Sequence, residues 1–358
     1  VPLIICTFCT SRWIKGIIYK FMLYWPVCIY YFSPNNNRLG GDQRLLRRAS
    51  PGLSRGSPMS DFPVIALRSV EIATPHLGAS ADFYRKVWGL DFAAEAEGTI
   101  YLAATGADFH VLELTQGDRA ALRKISFRAR SREDLDRLFA RACEASCEII
   151  SPPGPSHAPS GGEHFVIREP QGCRIEFVHG DRTKTARVLA DRPERLAHVN
   201  INSADIEKLS KFYQQVLGFR LTDRSKLMAF LCCNSDHHAV VLAEAPLNGL
   251  NHIAFLMPDL ESVMRGSGRM VDHGFPIGWG VGRHGPGDNV FAYFVDPSGI
   301  VIEYTAEVLQ VDDLYRAKGP SEWVWPPGRT DQWGIAPPKS EACKTAQLSV
   351  LFDTERRT

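Results

Sequence analysis

The chain repeats itself. Leu67-Arg-Ser-Val-Glu-Ile72 returns as Leu196-Ala-His-Val-Asn-Ile201, Asp82-Phe-Tyr84 as Lys211-Phe-Tyr213, and Val87-Trp-Gly-Leu90 as Val216-Leu-Gly-Phe219. Further along, Leu122–Phe127 matches Leu250–Phe255, and Glu169-Pro-Gln-Gly-Cys-Arg-Ile-Glu-Phe177 matches Asp296-Pro-Ser-Gly-Ile-Val-Ile-Glu-Tyr304. Self-similarity at this period means two like domains of roughly 120–130 residues rather than one large core. A chain of 358 residues has room for both.

Each copy opens with a short β-branched run followed by an amphipathic stretch, residues 78–88 or 204–217, that stops at Gly89 or Gly218. Glycine there suits a helix end in the left-handed region. The pattern then recurs inside each copy. A strand at 125–128 precedes a helix at 132–145, and a strand at 253–257 precedes a helix at 259–271. The expected fold is α+β, with four β-α-β-β-β modules paired two by two. Residues 62–182 form the first domain, 193–310 the second, and 311–358 a tail. The turns Glu169-Pro-Gln-Gly and Asp296-Pro-Ser-Gly fit hairpins, with Pro fixing φ and Gly free to take positive φ.

Residues 1–58 differ in texture. They carry eight Arg or Lys against the single acid Asp42, within a total net charge of +1 for the chain. Arg12, Lys15 and Lys20 break any apolar span long enough for a membrane helix, and no small-residue cleavage site follows a clean apolar core. The expectation is therefore sequence upstream of a true start at Met59, and a cytoplasmic protein with no membrane partner. A near-neutral total charge gives no general attraction to nucleic acid. The nine cysteines are odd in number and scattered, which implies no disulfide framework.

Contrast between the copies exposes a metal-ligand set. His198, His252 and Glu303 fall on strands of the second copy, where the first has Ser69, Lys124 and Glu176. A protonated Lys cannot ligate and Ser ligates poorly, so one copy is expected to be active and the other structural. Two imidazoles and a carboxylate, with positions left open, form the facial triad of non-haem Fe(II) oxygenases. Structural zinc would call for paired thiolates that these strands lack.

Leu196-Ala-His198, Leu250-Asn-His252-Ile-Ala-Phe255, Gly282-Arg-His284-Gly285 and Asp296-Pro-Ser-Gly-Ile-Val-Ile-Glu303-Tyr304 together resemble the vicinal oxygen chelate superfamily. Within it they resemble the two-domain type I extradiol ring-cleavage dioxygenases, with tandem glyoxalase/bleomycin-resistance-type domains. The resemblance implies Fe(II), or Mn(II), held by His198, His252 and Glu303. It implies a small aromatic diol and O₂ as substrates, a muconic-semialdehyde-type product, and a homo-oligomer of four subunits or more. It places His238 as the acid–base residue, with His284 and Tyr293 beside it as hydrogen-bonding groups. An imidazole suits that task because it titrates near working pH. His237 reads as a core or solvated histidine, and His273 as a helix cap.

The same resemblance implies a substrate pocket lined by Trp279, Arg283, Asp288 and Asn289. Trp279 stands where some relatives carry an arginine for a substrate carboxylate, which points to a neutral, apolar-substituted catechol. The tail, with Trp323-Val-Trp325-Pro-Pro and Trp333, is expected to cover the catalytic domain as a partial lid or to make an oligomer contact. Two other functions compete: a glyoxalase-type metal-dependent lyase or isomerase, and a non-catalytic protein that binds an aromatic ligand.

Overall fold

The computed structural model describes residues 61–353; the basic leader, with Cys6, Cys9, Cys28 and Met59, lies outside the described residues. The first copy holds strands β1 (Val64–Thr74), β2 (Asp91–Ala96), β3 (Thr99–Ala103), β4 (Leu112–Gln116), β5 (Ala121–Ala129), β6 (Glu148–Pro155), β7 (Glu163–Arg168) and β8 (Arg174–His179). The second holds β9 (Arg195–Ser203), β10 (Arg220–Arg224), β11 (Met228–Cys232), β12 (Val240–Glu244), β13 (Gly249–Leu256), β14 (Trp279–Arg283), β15 (Val290–Val295) and β16 (Val301–Ala306). Helices α1 (Leu77–Phe83), α2 (Arg132–Glu144), α3 (Ile206–Gln215) and α4 (Leu260–Asp272) sit one to a module, so the four-module α+β reading holds.

Both copies use one strand order. In the first it is β2-β3-β4-β1-β5-β8-β7-β6, with β1 and β5 antiparallel at the centre and parallel pairs β1–β4 and β5–β8 beside them. The second runs β10-β11-β12-β9-β13-β16-β15-β14 with the same senses. Each long central strand thus lies between one antiparallel and one parallel neighbour, and side chains of matched register gather on one face.

Local chemistry sets the helix ends. Ser131, Asp205 and Asp259 each accept a hydrogen bond from the backbone N–H three residues on, which satisfies a donor that the first helical turn leaves free. His273 caps the end of α4, its Nδ1 2.8 Å from the Arg269 carbonyl, as expected. The first helix is shorter than its pattern suggested. After Phe83 the chain takes a π-helical turn, Tyr84–Trp88, before Gly89 at φ +101°.

That turn aims Trp88 into the second copy, where it stacks on Tyr304 at 3.6 Å with rings 5° apart. Tyr304 Oη donates to the Trp88 carbonyl at 2.6 Å, and Tyr84 Oη donates to Asp296 at 2.9 Å. The two copies therefore share buried aromatic packing.

The end of the tail also belongs to the fold. Helix α5 (Glu341–Ala346) packs Cys343 and Ala346 against Phe291, Tyr293 and Val301. Strand β17 (Val350–Phe352) pairs with both β13 and β5. All six described cysteines are free thiols. Among the described residues no helix is long and apolar enough to cross a membrane.

Candidate metal centre

His198 on β9, His252 on β13 and Glu303 on β16 come together on the inner face of the second copy, all buried. Register explains the meeting. On β13 Ala254 faces His198 across the antiparallel pair and Glu303 across the parallel one, and His252 stands two residues away on the same face. His198 Nε2 and His252 Nε2 lie 3.1 Å apart, and each lies near Glu303 Oε2, at 3.2 and 3.0 Å.

These spacings fit a shared cation. Three donors at right angles on bonds of about 2.1 Å would sit about 3 Å from one another. Asn251 Oδ1 lies 2.9 Å from His252 Nδ1 and takes the proton there, so the His252 Nε2 lone pair faces Glu303. Glu303 Oε2 is buried without a hydrogen bond. Lone pairs converging in a buried space repel unless a cation lies between them. Burial alone would raise the Glu303 pKa, but the two imidazoles overrule it and hold the carboxyl well below its usual range. Burial lowers the His252 pKa to about 4, which keeps the imidazole neutral. A ligand needs both states.

Three further side chains ring the triad. His238, from the loop before β12, lies with its ring centroid 4.4 Å from that of His198. His284, just after β14, places Nε2 2.9 Å from Tyr293 Oη and 3.9 Å from Glu303 Oε1. Burial, followed by neighbouring imidazoles, pushes the His238 pKa well down. Burial likewise takes His284 to about 3 and drives Tyr293 well up, with Glu303 adding to the latter. The site therefore offers two neutral imidazoles and a protonated phenol.

His237 is a buried core histidine, but it has a second task that sequence did not show. Its Nε2 lies 2.9 Å from Asp223 Oδ2 and its Nδ1 3.0 Å from His238 Nδ1. Asp223 also accepts from Tyr315 Oη and the Lys318 backbone N–H, so the tail holds this carboxylate in place. Asp223 Oδ2 accepts from His237 Nε2–H. His237 Nδ1 is then an acceptor, His238 donates from Nδ1, and His238 Nε2 keeps its lone pair.

The residues expected to line the substrate pocket divide. Trp279 packs beside the groups that ring the triad, its ring 5.1 Å from Tyr293 and 5.2 Å from His284. Arg283 is engaged elsewhere, paired with Glu307, bonded to the Asp288 carbonyl at 2.5 Å and lying over Trp333. Asp288 accepts from Gln332 at 2.9 Å. Asn289 is buried behind the triad, donating to Thr305 Oγ1 at 2.7 Å with its Nδ2 3.5 Å from Glu303 Oε1, so it orients the carboxylate. Sequence reading missed Glu307, Gln332 and Trp333 as partners because they belong to the loop–tail contact and not to the strand pattern.

The first copy keeps more than the sequence comparison credited. His110 stands where His238 does, since Val111 and Ala239 bridge equivalent residues, Val70 and Val199. Asp108-Phe-His110 against Asp236-His-His238 was the available signal. With Ser69 and Lys124 replacing both imidazoles, the Lys124 ammonium lies 3.1 Å from Glu176, 3.3 Å from Glu113 and 3.7 Å from Glu71. An internal cation fills the equivalent position.

Comparison with known proteins agrees with this architecture. The family model for the Glyoxalase/Bleomycin resistance protein/Dioxygenase superfamily matches residues 66–177 and 195–304. Metapyrocatechase 2 of Cupriavidus necator is 34% identical over 179 residues, 49% of this chain and 52% of that protein, so the match spans about half of that relative's length. The manganese-dependent 2,3-dihydroxybiphenyl 1,2-dioxygenase of Geobacillus genomosp. 3 is 24% identical over 64% of this chain and 80% of its own. The crystal structure of the Mn(II)-bound glyoxalase from Novosphingobium aromaticivorans superposes with a TM-score of 0.74 at 35% identity, covering 78% of this chain and 94% of that one. Two matched copies, one with a complete ligand set, place the chain in the glyoxalase/bleomycin resistance protein/dioxygenase superfamily.

Proposed function

We propose that the chain is a metal-dependent extradiol dioxygenase that opens a catecholic ring with O₂ next to its hydroxyls. The observation that carries this reading is the ring of neutral proton-handling groups, His238, His284 and Tyr293, around a triad with open positions. Fe(II) or Mn(II) held by His198, His252 and Glu303 would supply a template for adjacent hydroxyls and O₂ and a conduit for electrons. Relatives named as manganese-dependent and as iron-dependent extradiol dioxygenases support either ion.

The protein's own part is proton traffic and exclusion of water. His238, neutral and backed by His237 and Asp223, takes a proton from a catechol hydroxyl and returns one to the departing oxygen when the O–O bond breaks. Tyr293 stays protonated and donates through Oη, and His284 holds it. Trp279 supplies a flat apolar wall for the ring. Trp323 and Trp325 lie against Gly285 and cover the adjoining loop, which limits solvent entry.

A glyoxalase-type reaction is the second reading, favoured by the similarity to the Mn(II)-bound glyoxalase structure. It needs a mobile carboxylate base and no O₂, whereas Glu303 is fully buried beside Asn289. Free thiols suit a reducing compartment such as the cytoplasm, and exposed Leu314, Val324 and Trp325 suit assembly into an oligomer. The deciding experiment is O₂ uptake by protein loaded anaerobically with Fe(II) or Mn(II) on addition of catechol. The expected result is uptake with a yellow product. Absence of both, with turnover of a glutathione hemithioacetal, would establish the second reading instead.

A further inference from the structure

We infer that the C-terminal segment is a working part of the metal centre: Gln347, aligned by Lys339, fixes the metal-facing tautomer of His252 through Asn251. This rests on the reading of His198, His252 and Glu303 as metal ligands.

Hydrogen-bond directions in the network follow from two groups that cannot reverse roles. An ammonium only donates, and a backbone carbonyl only accepts. Lys339 Nζ donates to Gln347 Oε1 at 2.7 Å, which turns the Gln347 amide nitrogen toward Asn251, where it donates to Oδ1 at 2.5 Å. From the other side, Asn202 Nδ2 donates to the Gln347 carbonyl at 2.6 Å. Asn202 Oδ1 is then free to accept from Asn251 Nδ2 at 2.8 Å. Both routes orient Asn251 the same way, with Oδ1 toward His252 Nδ1 at 2.9 Å. That contact requires a proton on Nδ1, so Nε2 keeps its lone pair for the metal. His198 Nδ1 has no such partner among the described residues, which leaves His252 as the imidazole under this control.

The segment is built to hold the contact. Ser340 caps α5 through the Cys343 N–H, Cys343 packs beneath Gly278, and β17 pairs with Leu250, next to Asn251. Lys339 is held over the rings of Trp279 and Tyr293, 4.5 and 5.6 Å from their centroids. Groups that orient a ligating histidine commonly change metal affinity about 10–100-fold when removed.

The test is titration of metal-free full-length protein with Mn(II), free Mn(II) being read by electron paramagnetic resonance, alongside the thermal midpoint of the metal-free protein. Gln347→Glu keeps size and the contact with Lys339 but offers Asn251 no donor. A carboxylate oxygen then faces Asn251 Oδ1 with no proton between them, which works against the orientation that the Asn202 contact alone still favours and weakens the hold on His252 Nδ1–H. We expect the Mn(II) dissociation constant to rise ~10–100-fold with the metal-free midpoint unchanged. Lys339→Met raises it less, and Lys339→Arg restores native affinity. Equal affinity in the native protein and Gln347→Glu would overturn the inference, as would a loss matched by a lowered metal-free midpoint that Lys339→Arg shares. A native protein that takes up no Mn(II) would instead remove the metal centre itself, and this control with it.

Discussion

Lys124 and His252 occupy one register position in the two copies, Lys124 opposite Glu71 on β1 and His252 opposite Asn200 on β9. One brings a cation of its own and the other leaves room for a metal. Burial works against the Lys124 ammonium, but Glu113, Glu176 and Glu71 hold it protonated far above its ordinary range. Burial likewise opposes ionisation of Glu113 and Glu176, yet Lys124 holds both carboxyls well down.

Lys124→Met should therefore cost about 3–5 kcal/mol at pH 7, because it strands buried carboxylates. The sign of the pH dependence follows from the lowered folded-state pKa values. Their stabilisation is fully present above the unfolded carboxylate range, near pH 4.5, and is lost as pH falls through the lower folded values. The gap between native and variant should begin to close above pH 4.5, where the buried glutamates of the variant take up protons, and go on closing below it as the native stabilisation is lost. Urea unfolding at pH 7 and pH 4 measures it. A gap that stays constant would refute the account.

Glu303→Gln should abolish stoichiometric Mn(II) or Fe(II) uptake while leaving the fold intact, since an uncharged amide cannot replace the one anionic ligand. Metal analysis after gel filtration, with circular dichroism as control, is the check.

His238→Gln should lower kcat by ~10²–10⁴ while metal affinity stays within about threefold, because the side chain handles protons beside the triad without ligating. Single-turnover kinetics on the metal-loaded variant separates the two. A rate equal to native would end the acid–base assignment.

Gly287→Ala tests the placement of the same imidazole. A Cβ there would lie 2.7 Å from His238 Cε1, at a backbone φ of +84°. A shift of the ring by a fraction of an ångström should cost ~10-fold or more in kcat with little change in metal binding. Steady-state kinetics beside Mn(II) titration gives both numbers.

Trp88→Ala should destabilise the protein by about 3–5 kcal/mol, as expected for a buried tryptophan, and Tyr304 loses its stacking partner. Thermal unfolding of the two halves in one step in the native protein and in two steps in the variant is the expected signature.

Much of this protein can be read from its sequence because duplication writes each strand twice. The α+β modules, helix limits within a few residues, and the ligands His198, His252 and Glu303 all follow from comparing the copies, since register on a central strand depends on local alternation. Tertiary structure alone decided the rest. Asp223 reaches His237 from a separate strand, Asn289 turns to Glu303 instead of the open pocket, and Arg283 is taken up by Glu307 and the Asp288 carbonyl. Gln347 arrives at Asn251 from 96 residues further along the chain. Such contacts carry no period, because they depend on where a loop or tail is laid down after the sheets have formed. The sequence therefore determined which atoms could hold a metal, and the fold decided which groups hold those atoms in place.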